Sequence, residues 1–255
     1  MLVCAACVHD DSDLTEQDSA YSVTDVPDLP PDSPNVAAVS VRLADTVVAA
    51  PGATGTGFGD PTRAVNGVRG AGARAGSLDV FSRGYLPGQN DHITLAWSNA
   101  RLRNGPGVDL VVFENPFLIT GGGSFMDLMI VEVSIDGVEF RELANDYLAA
   151  NPTVYRNDPA LWAGFAGRKP VLFHAVTNPV DPFNAALAGG DQFDLDTVVG
   201  NDAVATAIRA DGVRFVRLVC APARVNPDTG ATYVRDAISN GGDVDGIYGR
   251  YIVEN

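Results

Sequence analysis

The chain has 255 residues, 17 of them basic and 32 acidic, which gives a formal net charge of −15 at neutral pH. Its sole lysine is Lys169, so the basic face that phosphate binding requires is missing, which excludes nucleic acid as a partner. Three cysteines, Cys4, Cys7 and Cys220, are too few for a disulfide framework or a four-thiolate zinc site, and no apolar run is long enough to span a bilayer.

The first seven residues, Met1-Leu2-Val3-Cys4-Ala5-Ala6-Cys7, resemble the end of a bacterial lipoprotein signal in which Cys7 would carry the lipid. The basic start and most of the apolar region of such a signal are missing, and a C-x-x-C redox motif or a plain reduced pair is the competing reading. Residues 8–35 hold eight acidic residues from Asp10 to Asp32 and four prolines, with no basic residue before Arg42. That composition predicts a self-repelling, disordered tether, followed by a single β domain over 36–255.

Residues 36–49 are small and β-branched and predict a strand pair or one long strand. The glycine-rich stretch 51–76 includes Gly55-x-Gly57-x-Gly59, but neither a helical pattern nor a P-loop lysine follows. It reads as a structured loop with a short helical turn at 61–65, and Asp60 and Asn66 are its useful polar side chains. Residues 76–82 and 92–97 alternate as strands, with His92 as a surface or hydrogen-bonded residue rather than a ligand. The central strand is 108–115, bounded by Gly105-Pro106-Gly107 and by Pro116. Side chains alternate along it, so Asp109 and Glu114 point to opposite faces and form no acid–base pair with each other.

Asp136-Gly137 predicts a two-residue hairpin turn that would place Glu132 opposite Arg141 as an ion pair on the wet face. Residues 145–169 lack alternation and gather Tyr147, Tyr155, Trp162 and Phe165 around Arg156. Aromatic rings on such a loop either stack on a sugar or plug the end of a sandwich; Tyr155, Arg156, Trp162 and Phe165 are the candidate ligand contacts. Strand-like runs follow at 170–175, 193–199, 212–220 and 243–253, with no helix-period segment of length, and together they indicate an all-β sandwich.

Carboxylates cluster at two strand entries, Asp191, Asp194 and Asp196 in one and Asp243 and Asp245 in the other. Asp243 and Asp245 would share a face beside glycine carbonyls, the donor set a calcium ion takes, while solvated aspartates forming turns are the equal alternative. An EF-hand is excluded because its first and twelfth positions would be Gly241 and Ile252.

Gly76-Ser77-Leu78-Asp79-Val80-Phe81-Ser82, the stretch from Asn104-Gly105-Pro106-Gly107 to Phe113-Glu114-Asn115-Pro116-Phe117, Val133-Ser134-Ile135-Asp136-Gly137, Gly189-Gly190-Asp191-Gln192-Phe193-Asp194-Leu195 and Asp243-Val244-Asp245 occur in that order. In this the chain resembles bacterial cell-surface lipoproteins of poorly known function. The resemblance implies a galactose-binding, discoidin-like jelly roll at the cell envelope, surface-exposed or secreted, recognising a glycan or matrix component. It also implies a structural calcium ion between an early loop and the last strand, here Asp60 and Asn66 against Asp243 or Asp245. A non-catalytic binding module is therefore the leading expectation. Its rivals are a carboxylate-dependent glycoside hydrolase, with Glu114 as acid and Asp191 or Asp194 as partner at the sandwich rim, and a purely structural envelope protein.

Overall fold

Runs of β-forming residues, buried along their whole length in the central strands, build two antiparallel sheets that share one apolar interior. The computed structural model describes residues 39–52, 57–83 and 92–255, which lie within the compact unit Ala37–Asn255. Cys7 and the predicted tether at 8–35 fall outside the described residues.

The strands of the two sheets are β1 (Arg42–Leu43), β2 (Thr46–Ala49), β3 (Phe81–Ser82), β4 (His92–Ala96), β5 (Leu110–Glu114), β6 (Met129–Ser134), β7 (Arg141–Glu142), β8 (Asp191–Phe193), β9 (Phe215–Cys220) and β10 (Asp243–Gly249). One sheet has the order β1-β10-β5-β8, with β3 also on β10; the other has the order β7-β6-β9-β4-β2. The architecture is an all-β sandwich.

The predicted central strand is β5. Leu110 and Val112 enter the interior with Leu95, Val131, Val133 and Leu218, whereas Val111 and Phe113 point outward against Val171, Phe173 and Phe183. Each such burial contributes about 1.5–3 kcal/mol, so an unbroken apolar run is required where both faces are covered. Asp109 and Glu114 do part company as the alternation demands: Asp109 accepts the amides of Gly105 and Leu195, both at 2.8 Å, while Glu114 accepts that of Asp243.

Several expectations are corrected. The Asp136-Gly137 turn is not a two-residue hairpin. Asp136 Oδ1 accepts the Val138 amide at 2.8 Å and the Glu139 amide at 2.9 Å, which widens the connection and sets Arg141 opposite Val133. The slip leaves Glu132 buried on the outer face of its sheet, bonded to Arg217 and to Arg224 rather than to Arg141. Residues 195–197 form a 3-10 turn instead of a strand, because Asp194 caps it through the Asp196 amide at 2.8 Å. A helix absent from the sequence reading, α1 (Ala203–Asp211), starts at the Asp202 cap and ends at Gly212 with φ of +79°. The predicted turn at Pro61–Val65 is present as a 3-10 helix capped by Asp60.

Candidate functional site

Three carboxylates meet where β5, β10 and the chain entering β6 converge. Glu114 closes β5 on the same face as Val112 and is 2% exposed. Its Oε1 accepts the Asp243 amide at 2.8 Å, since Val244 pairs with Glu114 across the sheet. Asp127, 5% exposed, precedes β6 and accepts a hydrogen bond from the Ser239 hydroxyl. Asp243 opens β10 opposite Ser82 of β3.

Burial dominates the electrostatics here. It pushes Glu114 well above the usual carboxylate range, and the charges of Asp127 and Asp243 push it further. Asp127 is raised to about 7 by burial, against the Ser239 hydrogen bond and with Asp243 and Asp236 adding to the rise. Asp243 is raised for the same first reason. Glu114 Oε2 and Asp243 Oδ1 are both buried with no hydrogen-bond partner among the described residues. A Cβ placed on Gly167 would sit 3.0 Å from that Oε2 and 2.8 Å from the Asp127 carbonyl oxygen. The cleft above, lined by Asp127, Tyr155, Cys220, Arg235, Ser239 and Gly242, has a volume of about 10 Å³, room for a single water.

The four predicted calcium ligands do not converge. Asp60 is taken up by the amide of Thr62 at 3.0 Å, and Asn66 donates to Asp79 at 3.4 Å. Both oxygens of Asp245 accept the Arg69 amide at 2.9 Å, and Arg69 Nε lies 2.7 Å from Asp79. The early loop thus meets the late strand through an arginine. Asp243 and Asp245 part because the pairing register shifts between Val244 and Gly246, which interrupts the alternation that would have put them together. Among the described residues no three His, Cys, Asp or Glu side chains are arranged to hold a metal ion.

Of the predicted rim carboxylates, Glu114 and Asp191 are buried and Asp194 is half-buried. Asp191 is buried and accepts the Arg168 amide at 2.8 Å, with Arg168 Nε at 3.2 Å; Asp194 serves as the cap described above. Glu114 therefore finds its carboxylate neighbours in Asp127 and Asp243 instead of Asp191 or Asp194. Asp127 was not singled out from the sequence. Its signal was a lone acid at the entry of the apolar run Leu128-Met129-Ile130-Val131.

The aromatic loop plugs the sandwich. Trp162 stacks on Tyr147 with ring centroids 3.6 Å apart and meets Phe165 edge-on at 5.4 Å, and all three rings are buried with Met126, Leu128 and Ile130. Tyr155 packs against this cluster at 5.8 Å from Trp162, and the Arg156 carbonyl accepts from Trp162 Nε1 at 2.8 Å. Trp162 and Phe165, expected as ligand contacts, have no face to offer a sugar, and Arg156 is exposed, its charge favouring the ionised form of the Tyr147 phenol.

An open depression lies elsewhere, between the early loop and the segment after Pro170. It has a volume of about 590 Å³ and is lined by Arg69, Gly70, Ser77, Leu78, Asp79 and His174. Asp79 is held by Arg69 and by Arg63 at 3.6 Å, and its amide donates to Ser77 Oγ at 3.1 Å. His174 Nδ1 accepts the amides of Val176 and Thr177, both at 3.1 Å, so the neutral ring carries its proton on Nε2. Leu78 stands 79% exposed beside them. Of these residues only Ser77, Leu78 and Asp79 lay in a motif noticed in the sequence, and there as strand residues.

No protein-family model matches the chain, and no curated protein matches it either. Among solved structures the chain is similar to that of CBM32-3 from a family 31 glycoside hydrolase from Clostridium perfringens, at 11% identity and a TM-score of 0.33, covering 82% of this chain and 90% of that one. A TM-score of that size carries neither fold nor ligand from one chain to the other.

Proposed function

We propose that the chain is a non-catalytic binding module that takes a glycan in the depression between Arg69, Asp79 and His174. The observation that carries the reading is the contrast between two places. The depression is of ligand size, open, and lined by an oriented ion pair, an imidazole N–H and an exposed apolar side chain. The acids that hydrolysis would need are enclosed under a cleft that admits one water. Sugar hydroxyls are both donors and acceptors, and the Asp79 carboxylate, the Arg69 guanidinium and the His174 N–H offer both kinds of partner within one site. Display at the cell envelope through a lipid on Cys7 belongs to the same proposal, with an extracellular glycan or matrix component as partner.

A screen of immobilised glycans against the whole protein, repeated with Asp79→Ala and His174→Ala, tests this. Retention of at least one glycan by the wild type, lost in both variants, is expected. Release of free sugar from a bound glycan would replace this reading with the hydrolase.

A further inference from the structure

We infer that Glu114, Asp127 and Asp243 form a proton-held clasp that fastens the segment 235–243 over the cleft at mildly acidic pH and releases it as pH rises. Two carboxyl ties bind that segment to the sheets, beside the bond from the Arg83 amide to the Gly242 carbonyl at 2.8 Å and the pairing of Asp243 with Ser82. Ser239 donates to Asp127, and the Asp243 amide donates to Glu114 Oε1. Both acceptors are carboxyl groups on other elements, in the connection before β6 and at the end of β5.

The two orphaned oxygens name the missing component. Glu114 Oε2 and Asp243 Oδ1 belong to neighbouring acids, and both are buried with no hydrogen-bond partner among the described residues, while the Ser82 hydroxyl beside Asp243 favours its ionised form. One proton held by the cluster turns an acceptor into a donor and removes a charge from a site where three would repel. A proton is favoured over a cation because no three carboxylates among the described residues are arranged to hold a metal ion.

The groups that face the clasp fix the sign. Asp127 is flanked by Asp243 from β10, by Glu114 from β5, and by Asp236 and Arg235 from the fastened segment; the Tyr155 phenol looks on from the aromatic plug. Arg235, which donates to the carbonyls of Asp236 and Ser239, favours the ionised form of Asp127. Burial and the acids outweigh it, and Asp127 stands at about 7 when the clasp is closed. Opening hydrates the acid and returns it to its ordinary range near 4. The closed form therefore holds more protons between those values, and opening becomes easier as pH rises through that window. From pH 5 to pH 8, Asp127 alone would raise the opening constant by up to about 80-fold, given its value of about 7 when closed.

The test is hydrogen exchange by mass spectrometry on the whole protein, following the peptide that covers 235–243 and correcting for the intrinsic pH dependence of exchange. Wild-type protection in that peptide should fall at least tenfold between pH 5 and pH 8. In Asp127→Asn the side-chain oxygen still accepts from Ser239 but does not titrate, so the fall should be clearly smaller than in the wild type, the remainder coming from Glu114 and Asp243. Ser239→Ala cuts a tie without touching a carboxyl, and it should loosen the peptide at pH 5 while keeping the pH dependence. Flat wild-type protection, or an equal fall in Asp127→Asn, overturns the clasp. Restoration of pH 5 protection at pH 8 by millimolar calcium overturns it too, in favour of a bridging cation. If Asp127→Asn fails to fold, Ser239→Ala decides: loss of the pH dependence there would refute the role of the carboxyls.

Discussion

Replacing Trp162 with alanine separates the two roles open to the aromatic loop. The ring is fully buried, stacked on Tyr147 at 3.6 Å and edge-on to Phe165 at 5.4 Å, and its Nε1 donates to the Arg156 carbonyl. Truncating a buried tryptophan costs about 3–5 kcal/mol through lost transfer energy and the cavity left behind. For a domain of this size each kcal/mol moves the melting temperature by about 2–4 °C, so a drop of roughly 6–20 °C is expected. Trp162→Phe, which keeps a ring but loses the donor, should lose less, with about 1 kcal/mol due to the hydrogen bond. Urea titrations with a common slope measure both. A loss below about 1 kcal/mol for Trp162→Ala, coupled with loss of glycan binding, would show that the ring faces a ligand and would refute its assignment to the core.

Stability should peak in mildly acidic solution. Burial raises Asp109 to about 6 and Asp245 to about 7, so the folded chain holds more protons than the unfolded one above pH 4 and loses stability as pH rises towards 7. Asp45 works in the opposite sense: burial raises it, but hydrogen bonds from Ser98, Thr46 and Arg42 win and lower it to about 2, so its contribution is lost as pH falls below 4. Melting temperatures measured from pH 2 to pH 9 should therefore peak between about 4 and 5, and a steady rise to pH 8 would contradict the burial of these acids. Glu132→Gln leaves Arg217 and Arg224 without their carboxylate, and because both arginines are partly exposed the cost should sit at about 2–3 kcal/mol in urea unfolding, below that of a fully buried pair. Gly189→Ala should prevent soluble expression or lower the melting point by more than 5 °C or so, since the residue has φ of +69° and a Cβ there would overlap the Pro170 carbonyl; a neutral result would mean that the turn leading into β8 is built differently.

What the sequence disclosed was local. The run 108–115 could be read because glycine and proline bracket an apolar strand, and the turn at Pro61–Val65 because Asp60-Pro61 is a capping pair. The hairpin register was hidden because Asp136 bonds to two amides beyond it, a choice the dipeptide Asp-Gly does not reveal. α1 was hidden by its alanines, which dilute the apolar spacing of Ala205 and Ile208 even though Asp202 and Gly212 mark its ends. Counting by twos united Asp243 with Asp245, and the register shift between Val244 and Gly246 undid it. The carboxylate cluster and the depression each join segments far apart in the chain, Glu114 with Asp127 and Asp243, Arg69 and Asp79 with His174. No local pattern announces such meetings.

The position a ligand takes on the protein decides between the depression and the carboxylate cluster. Amide resonances of 15N-labelled protein, followed while a glycan retained in the screen is titrated in, locate it directly. Saturable shifts concentrated at residues 69–79 and around His174, with those of the aromatic plug near Trp162 unmoved, are the predicted result. Shifts centred on Glu114, Asp127 and Asp243, or on the aromatic loop, would contradict it.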